Sequence, residues 1–129
     1  MKFIAKSILS SLAIFTSLSV CNAALETRII NLKDRYVEKG NIVTLKARGQ
    51  FKKASGWTDI DSEYLNFTIL SNDRIMFSKR SKISFWDGNA MINVNTSNFA
   101  PGNYKINLKF EGNLDLLPSE ANARLIVLV

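Results

Sequence analysis

The 129-residue sequence predicts an all-β protein, an antiparallel β-sandwich of about seven or eight strands, preceded by a signal peptide. Two observations predict the sandwich. Apolar and polar residues alternate with period two in five separate segments, which is the signal of half-buried strands. Turn-forming residues separate these segments, and none shows the 3.6-residue period of an amphipathic helix. Short strands with frequent turns are typical of two antiparallel sheets packed face to face.

The first 23 residues have the three parts of a secretory signal peptide. Lys2 and Lys6 supply positive charge, residues 7–20 are uncharged and mostly apolar, and small residues permit cleavage after Ala23. The apolar run is shorter than the roughly 20 residues of a membrane-spanning helix. We therefore expect an exported chain without a transmembrane span, located in the periplasm or outside the cell.

Cys21 offers an alternative to simple cleavage. The segment Leu18-Ser19-Val20-Cys21 resembles a bacterial lipobox, in which the cysteine is lipid-modified and begins the mature chain. Val20 departs from that pattern, which has Gly, Ala or Ser before the cysteine. In this alternative the protein is a membrane-anchored lipoprotein tethered through Cys21.

Residues 24–129 have the length of one domain, since 129 − 23 = 106 residues. Cys21 is the only cysteine, so this domain has no intrachain disulfide. The sequence has no histidine, which excludes histidine-based acid–base catalysis, catalytic triads and histidine metal ligands. Loss of Lys2 and Lys6 changes the formal charge from 17 − 11 = +6 to 15 − 11 = +4, without the basic stripe of a nucleic-acid binder. We expect no enzyme activity, no cofactor and no nucleic-acid partner.

The predicted strands follow one another along the whole domain. The clearest is Ile42–Arg48, where Val43, Leu45 and Ala47 share one face. In chain order the predicted strand positions are Arg28–Leu32, Ile42–Arg48, the stripe at Leu65, Phe67 and Ile69, then Arg74–Ser78, Lys82–Phe85, the stripe at Ala90, Ile92 and Val94, then Tyr104–Glu111 and Ala121–Val129. Between two of these lies Gly49–Glu63, which we predict to be a long polar loop and a contact surface, because long loops in compact domains often carry function.

Three segments resemble bacterial immunoglobulin-like domains of the Big type. One is Val43-Thr44-Leu45-Lys46-Ala47 after a Gly-Asn turn, and another is Asp87-Gly88-Asn89-Ala90-Met91-Ile92-Asn93-Val94. The most specific is the closing part, a Gly-x-Tyr strand at Gly102-Asn103-Tyr104 followed by Ser119-Glu120-Ala121-Asn122-Ala123-Arg124-Leu125. The resemblance covers roughly residues 28–129.

The resemblance implies an immunoglobulin-like fold and two structural roles. Tyr104 is expected to fix a strand corner, and Leu45 and Ile106 are expected to stand where antibody domains carry bridging cysteines. Domains of this family are mostly spacers or adhesive units of surface proteins.

The candidate binding residues are Trp57, Asp59, Asp61 and Trp86. Two exposed tryptophans could form a platform for a sugar ring, and carboxylates beside them could accept hydrogen bonds from its hydroxyl groups. The sequence favours packing in the core or at an edge for Trp86, which follows Phe85, and leaves the exposure of Trp57 open. Asp59, Asp61 and Glu63 alternate as cation ligands could, but the glycine of a calcium loop is missing, so we expect a solvated acidic loop and no metal.

Two further segments are candidates for exposed surfaces with a role of their own. Ile126 and Leu128 lie on the outward face of the last strand and are candidates for a subunit interface. The basic run from Arg74 to Lys82 is interpreted as an edge strand protected by charge. The sequence thus favours an exported, non-enzymatic binding domain with a protein or glycan partner in the cell envelope. The alternatives are a small carbohydrate-binding protein and an assembly subunit that pairs through its last strand.

Overall fold

The computed structural model describes residues 23–129, and these contain nine β-strands and one short 3₁₀ turn. Residues 1–22, with Cys21 and nearly all of the predicted signal peptide, lie outside the described residues, so export and lipidation stay predictions. The strands are β1 (Thr27–Ile30), β2 (Arg35–Glu38), β3 (Ile42–Lys53), β4 (Gly56–Asp59), β5 (Tyr64–Ser71), β6 (Arg74–Lys82), β7 (Asn89–Asn95), β8 (Gly102–Phe110) and β9 (Ser119–Leu128), and the 3₁₀ turn is Thr96–Asn98.

The strands form two sheets, which confirms the predicted all-β sandwich. One sheet has five strands in the order β2-β9-β8-β5-β6. In the other, the long strand β3 pairs with β1 on one side and with β4 and β7 on the other. Every strand pair is antiparallel except β2 with β9, where Leu125 to Leu128 run parallel to Arg35 to Glu38. The described residues thus form nine strands rather than seven or eight, and one pair is parallel because the chain crosses between sheets before β2.

The core lies between the two sheets and is built from the predicted alternating residues. Val43, Leu45 and Ala47 of β3 are buried, and so are Ile106 and Leu108 of β8. Full burial of an aliphatic side chain stabilises a fold by roughly 1.5–3 kcal/mol. Leu45 and Ile106 belong to opposite sheets and are each at most 1% exposed, so packing does occupy these two positions.

Tyr104 fixes a corner at the start of β8, as the resemblance implied. Its hydroxyl donates a hydrogen bond of 2.6 Å to the carbonyl oxygen of Ala100, four residues earlier. Its ring packs against Phe99 with the ring centroids 5.2 Å apart. The hydrogen bond and the ring contact therefore hold the segment before β8 against the first residues of that strand.

The structure corrects the prediction of a long loop at Gly49–Glu63. β3 continues to Lys53, and β4 returns beside it after a tight turn, with Phe51 opposite Thr58 and Lys52 opposite Trp57. The prediction was wrong because most residues of this hairpin are only half-buried or exposed, so they lack apolar alternation. The turn is possible because Gly56, at φ 129°, adopts a conformation that other residues avoid.

Two further differences concern whole strands. β6 is one strand from Arg74 to Lys82, and residues beyond it, up to Gly88, form a turn, so the separate strand expected at Lys82–Phe85 does not exist. β2 was not predicted, since four residues are too short to show a period. No helix within the described part of the chain has the length and apolar character needed to cross a membrane.

Candidate functional site

The turn between β6 and β7 carries the two most exposed aromatic side chains of the described chain. We call residues 83–88 the aromatic turn. Trp86 is 90% exposed and Phe85 is 74% exposed, and their rings meet edge to face with centroids 5.6 Å apart. Packing of Trp86 in the core or at an edge was therefore the wrong interpretation. Ile83 takes the buried position instead, and the reversal of the chain after it directs the next residues into solvent.

Hydrogen bonds within the aromatic turn hold its backbone in place. The Ser84 N–H donates to the Asn89 carbonyl at 2.8 Å, and the Gly88 N–H donates to the Ser84 carbonyl at 2.9 Å. The Asp87 carboxylate accepts from the Asn89 N–H at 2.9 Å, and this bond is the main reason that the pKa of Asp87 lies below its ordinary value. Since the backbone is bonded at both ends, the exposed rings stand on a preorganised support.

Asp59, at the end of β4, contacts the aromatic turn directly. A Cβ atom at Gly88 would lie 2.6 Å from both Cγ and Oδ2 of Asp59, so any other residue there would displace this carboxylate. Arg48 links the same two segments, because its Nε is 3.7 Å from Asp59 Oδ1 and its Nη2 donates to the Asp87 carbonyl. The structure therefore brings Asp59 next to the turn that carries Trp86.

Trp57 lies two residues before Asp59, on the same side of β4, and is half-buried. The guanidinium of Arg28 lies 4.1 Å from the centroid of the Trp57 ring, which is a cation–π contact. Arg28 Nε also donates to Gln50 Oε1 at 2.9 Å, and Gln50 Nε2 donates to Asp59 Oδ1 at 3.2 Å. The candidate residues Trp57 and Asp59 therefore already have protein partners, which the sequence did not reveal.

Asp61 lies apart from the tryptophans. It lines an open pocket of about 400 Å³ between the end of β4 and the β8–β9 connection, together with Asp59 and Glu63. All three carboxylates already accept hydrogen bonds: Glu63 from Asn113 Nδ2 at 3.0 Å, Asp59 from Gln50 Nε2 at 3.2 Å, and Asp61 from the neighbouring Ser62 hydroxyl at 3.3 Å. Among residues 23–129, no group of three or more acidic, histidine or cysteine residues is placed to hold a metal ion.

Ile126 and Leu128 lie on the outer face of the five-stranded sheet. Leu128 is 44% exposed, and Tyr36 of β2, opposite Ile126, is 63% exposed and extends the apolar surface. Over these residues β9 is not an edge strand, because β2 pairs with it. A contact there would use side chains and not a free backbone edge. β6, in contrast, is the edge strand that its basic residues predicted.

The sequence matches no protein-family model. No curated protein is significantly similar to it in sequence. Solved structures with a similar fold include fibronectin(III)-like modules of Clostridium thermocellum CbhA, at 11% identity and a TM-score of 0.44, covering 79% of this chain and 95% of that chain. The M1 domain from titin has 18% identity and a TM-score of 0.41 and covers 81% and 95%. Listeria monocytogenes InlP has 13% identity and a TM-score of 0.40 and covers 74% and 26%.

The strand arrangement itself defines the class of fold. A sheet built on β1, β3 and β7 faces a sheet that contains β5, β8 and β9, and Tyr104 forms a tyrosine corner at the start of β8. That is the plan of immunoglobulin-like β-sandwiches. The chain has an immunoglobulin-like fold.

Proposed function

We propose that this chain is an exported, non-enzymatic binding module of the bacterial immunoglobulin-like type, and that it contacts its partner through the aromatic turn. The observation that carries the proposal is the 90% exposure of Trp86 beside the 74% exposed Phe85. Burial of adjacent exposed aromatic rings against a partner is favourable, and tryptophan is enriched among residues that dominate binding energy. Truncation of such a residue typically costs at least about 2 kcal/mol of binding free energy.

The ordered backbone that carries Phe85 and Trp86 favours a specific contact. The aromatic turn is bonded internally through Ser84 and Asp87, and Asp59 and Arg48 join it to β3 and β4. A surface that is already ordered loses little conformational entropy on binding. A partner therefore gains most of the free energy that burial of the two rings provides.

A protein of the cell envelope fits this surface better than a glycan does. Sugar rings stack on flat aromatic faces, whereas Phe85 and Trp86 meet at an interplanar angle of 76° and present an angular surface. Trp57, the other candidate platform, has Arg28 over its ring. Protein interfaces readily bury such aromatic pairs in pockets. Glycan binding through Trp57, Asp59 and Asp61 is the competing outcome.

The experiment places a photo-crosslinking amino acid at Trp86 in the cells that produce the protein. Ile75, at the other end of β6 and 67% exposed, is the matched control position. We expect a discrete crosslinked protein from position 86 and none from position 75. Trp86→Ala should then weaken binding of that purified protein by about 30-fold, while Ile75→Ala should leave it unchanged. A glycan array probed with the same variants tests the competing outcome, since retention lost in Trp57→Ala but kept in Trp86→Ala would refute the aromatic turn as the contact.

Export requires a separate test. The intact mass of protein from the producing cells should correspond to a chain that begins at Ala24. A lipid-modified mass that begins at Cys21 would make the protein a tethered lipoprotein, and an unprocessed mass would refute export.

A further inference from the structure

A gap beside β3 opens where β1 leaves the four-stranded sheet. β1 pairs with β3 only from Arg48 to Phe51, and the chain turns away at Asn31, which has φ 67°. The Lys52 N–H donates to the Glu26 carbonyl just before β1 at 2.9 Å, and the Thr44 carbonyl accepts from Arg35 of the β1–β2 side. Since backbone groups of alternate strand residues point to the same side, the N–H and C=O of Lys46 also point into this gap. Within the described chain no strand pairs with this part of β3 on that side.

This unpaired stretch of β3 forms the bottom of a cleft with a volume of about 550 Å³. One wall is the β1–β2 linker, residues 31–34, together with Arg35, and the opposite wall carries Lys46 and Arg48 from β3. The linker is fastened on both sides of the cleft. Arg35 Nη1 donates to the Thr44 carbonyl, and Asp34 is bound to Arg124 of β9. The walls are therefore in place before any ligand arrives.

The cleft has more positive charge than its own carboxylate can balance. Lys33, Arg35, Lys46 and Arg48 line it, and Asp34 is the one acidic residue of its lining. Asp34 is already neutralised, because Arg124 donates to it from the backbone N–H at 2.9 Å and from Nη2 at 2.9 Å, which lowers the pKa of Asp34 below its ordinary value.

The basic residues of the cleft differ in whether a carboxylate of the protein already balances their charge. Arg48 is balanced by Asp59, 3.7 Å away. Lys33 and Lys46 take part in no ion pair within residues 23–129, and Arg35 contacts a carbonyl rather than a carboxylate. Asp87 forms no ion pair with Lys46. The hydrogen bond that Asp87 accepts from the Asn89 N–H lowers the pKa of Asp87 most, and the positive charge of Lys46 also lowers this pKa.

We propose that this cleft is an anion site that binds a phosphoryl group. Lys33, Arg35 and Lys46 supply three cations, and the Lys46 backbone N–H supplies a neutral donor at the floor. This combination of charged donors and a backbone N–H suits a tetrahedral dianion, since charge-assisted hydrogen bonds to phosphate are about twice as strong as neutral ones. The cleft is larger than a phosphate ion, so the rest of a phosphorylated ligand also has room. The phosphoryl group could belong to a lipid headgroup or to a soluble molecule.

The first test is a titration of ¹⁵N-labelled protein, purified from the producing cells, with inorganic phosphate at constant ionic strength. We expect saturable shifts of the amide signals of Lys46 and of residues 31–35. Lys33→Gln and Lys46→Gln should each weaken phosphate binding by about fivefold, the upper end of what one exposed ion pair contributes. Lys109→Gln makes the same charge change on the outer face of the five-stranded sheet and should leave the affinity unchanged. Shifts that do not saturate, or equal weakening by Lys109→Gln, would overturn the proposal.

A second arm distinguishes the two sources of the phosphoryl group. Phosphatidylcholine vesicles with and without phosphatidic acid are sedimented with the protein. Retention that requires phosphatidic acid and is lost in Lys46→Gln assigns the site to a lipid headgroup. Phosphate binding without vesicle retention assigns it to a soluble phosphorylated ligand. Neither arm involves Trp86, so failure here leaves the proposed contact through the aromatic turn untouched.

Discussion

Gly88→Ala tests whether β4 supports the aromatic turn. Gly88 has φ +72°, in the left-handed region, and an added Cβ would lie 2.6 Å from Cγ and Oδ2 of Asp59. The substitution therefore has two separate effects. It strains the backbone of residue 88, and it pushes the Asp59 side chain away from the turn.

The expected decrease in the free energy of unfolding is the sum of these two effects. A non-glycine residue in the left-handed region costs roughly 1–2 kcal/mol. Displacement of Asp59 breaks its 3.2 Å hydrogen bond from Gln50 and its 3.7 Å contact with Arg48, which together contribute about 1 kcal/mol. Gly88→Ala should therefore lower the free energy of unfolding by about 2–3 kcal/mol.

Urea unfolding followed by circular dichroism measures this loss. Gly40→Ala is the matched control, because Gly40 has φ +96° and no atom lies within 4 Å of its added Cβ, so only the backbone strain applies. The double variant Asp59→Ala/Gly88→Ala removes Cγ and Oδ2 and leaves only the Asp59 Cβ, 3.1 Å away. We expect the double variant to be more stable than the sum of its single changes by about 0.5–1 kcal/mol, as neighbouring residues couple.

Two results would refute this reasoning. If Gly88→Ala costs no more than Gly40→Ala, then the Asp59 side chain does not press against the turn. If the two changes at positions 59 and 88 are additive, then β4 and the aromatic turn are not coupled. Either result removes the structural support that the proposed contact surface assumes.

Two other predictions concern the frame of the fold. Tyr104→Phe should lower the free energy of unfolding by about 0.5–1.5 kcal/mol, because it removes the corner hydrogen bond. Tyr36→Phe on the exposed outer face should have no effect in the same urea titration. Equal urea midpoints for the two variants would contradict a stabilising corner. Because hydrogen bonds from Arg124 lower the pKa of Asp34, this contact stabilises the fold above the unfolded pKa of about 3.9, and its contribution disappears as the pH falls through the lower folded pKa. Asp34→Asn should therefore flatten the decline of the urea midpoint below about pH 4, and parallel pH profiles would count against the contact.

Much of the fold was predictable because its strands have one buried face. Val43, Leu45 and Ala47 alternate with polar residues, and the same holds for β8, so the period reveals both strands. The hairpin of β3 and β4 was missed because most of its residues are only half-buried or exposed, so no apolar face is required. β2 was missed for a related reason, since only Val37 of its four residues is buried.

The site was less predictable than the fold, because exposure depends on the path of the chain. Phe85 and Trp86 are adjacent apolar residues and therefore suggest a core, but the turn that ends at Gly88 places both in solvent. The partners of Asp59 come from β3 and from the aromatic turn, and no local pattern connects these segments. The basic cleft likewise depends on where β1 leaves β3, which residue types alone do not specify.

The short parallel strand β2 occupies the place beside β9 that a strand from another molecule would need. It comprises four residues, and Asp34–Arg124 and Arg35–Thr44 are the contacts that fasten its entrance. Detachment of β2 would leave Leu125–Leu128 with unpaired backbone groups, ready to accept a strand from a second copy. Acid that protonates Asp34 weakens one of these fastenings, so low pH lowers the barrier to domain swapping.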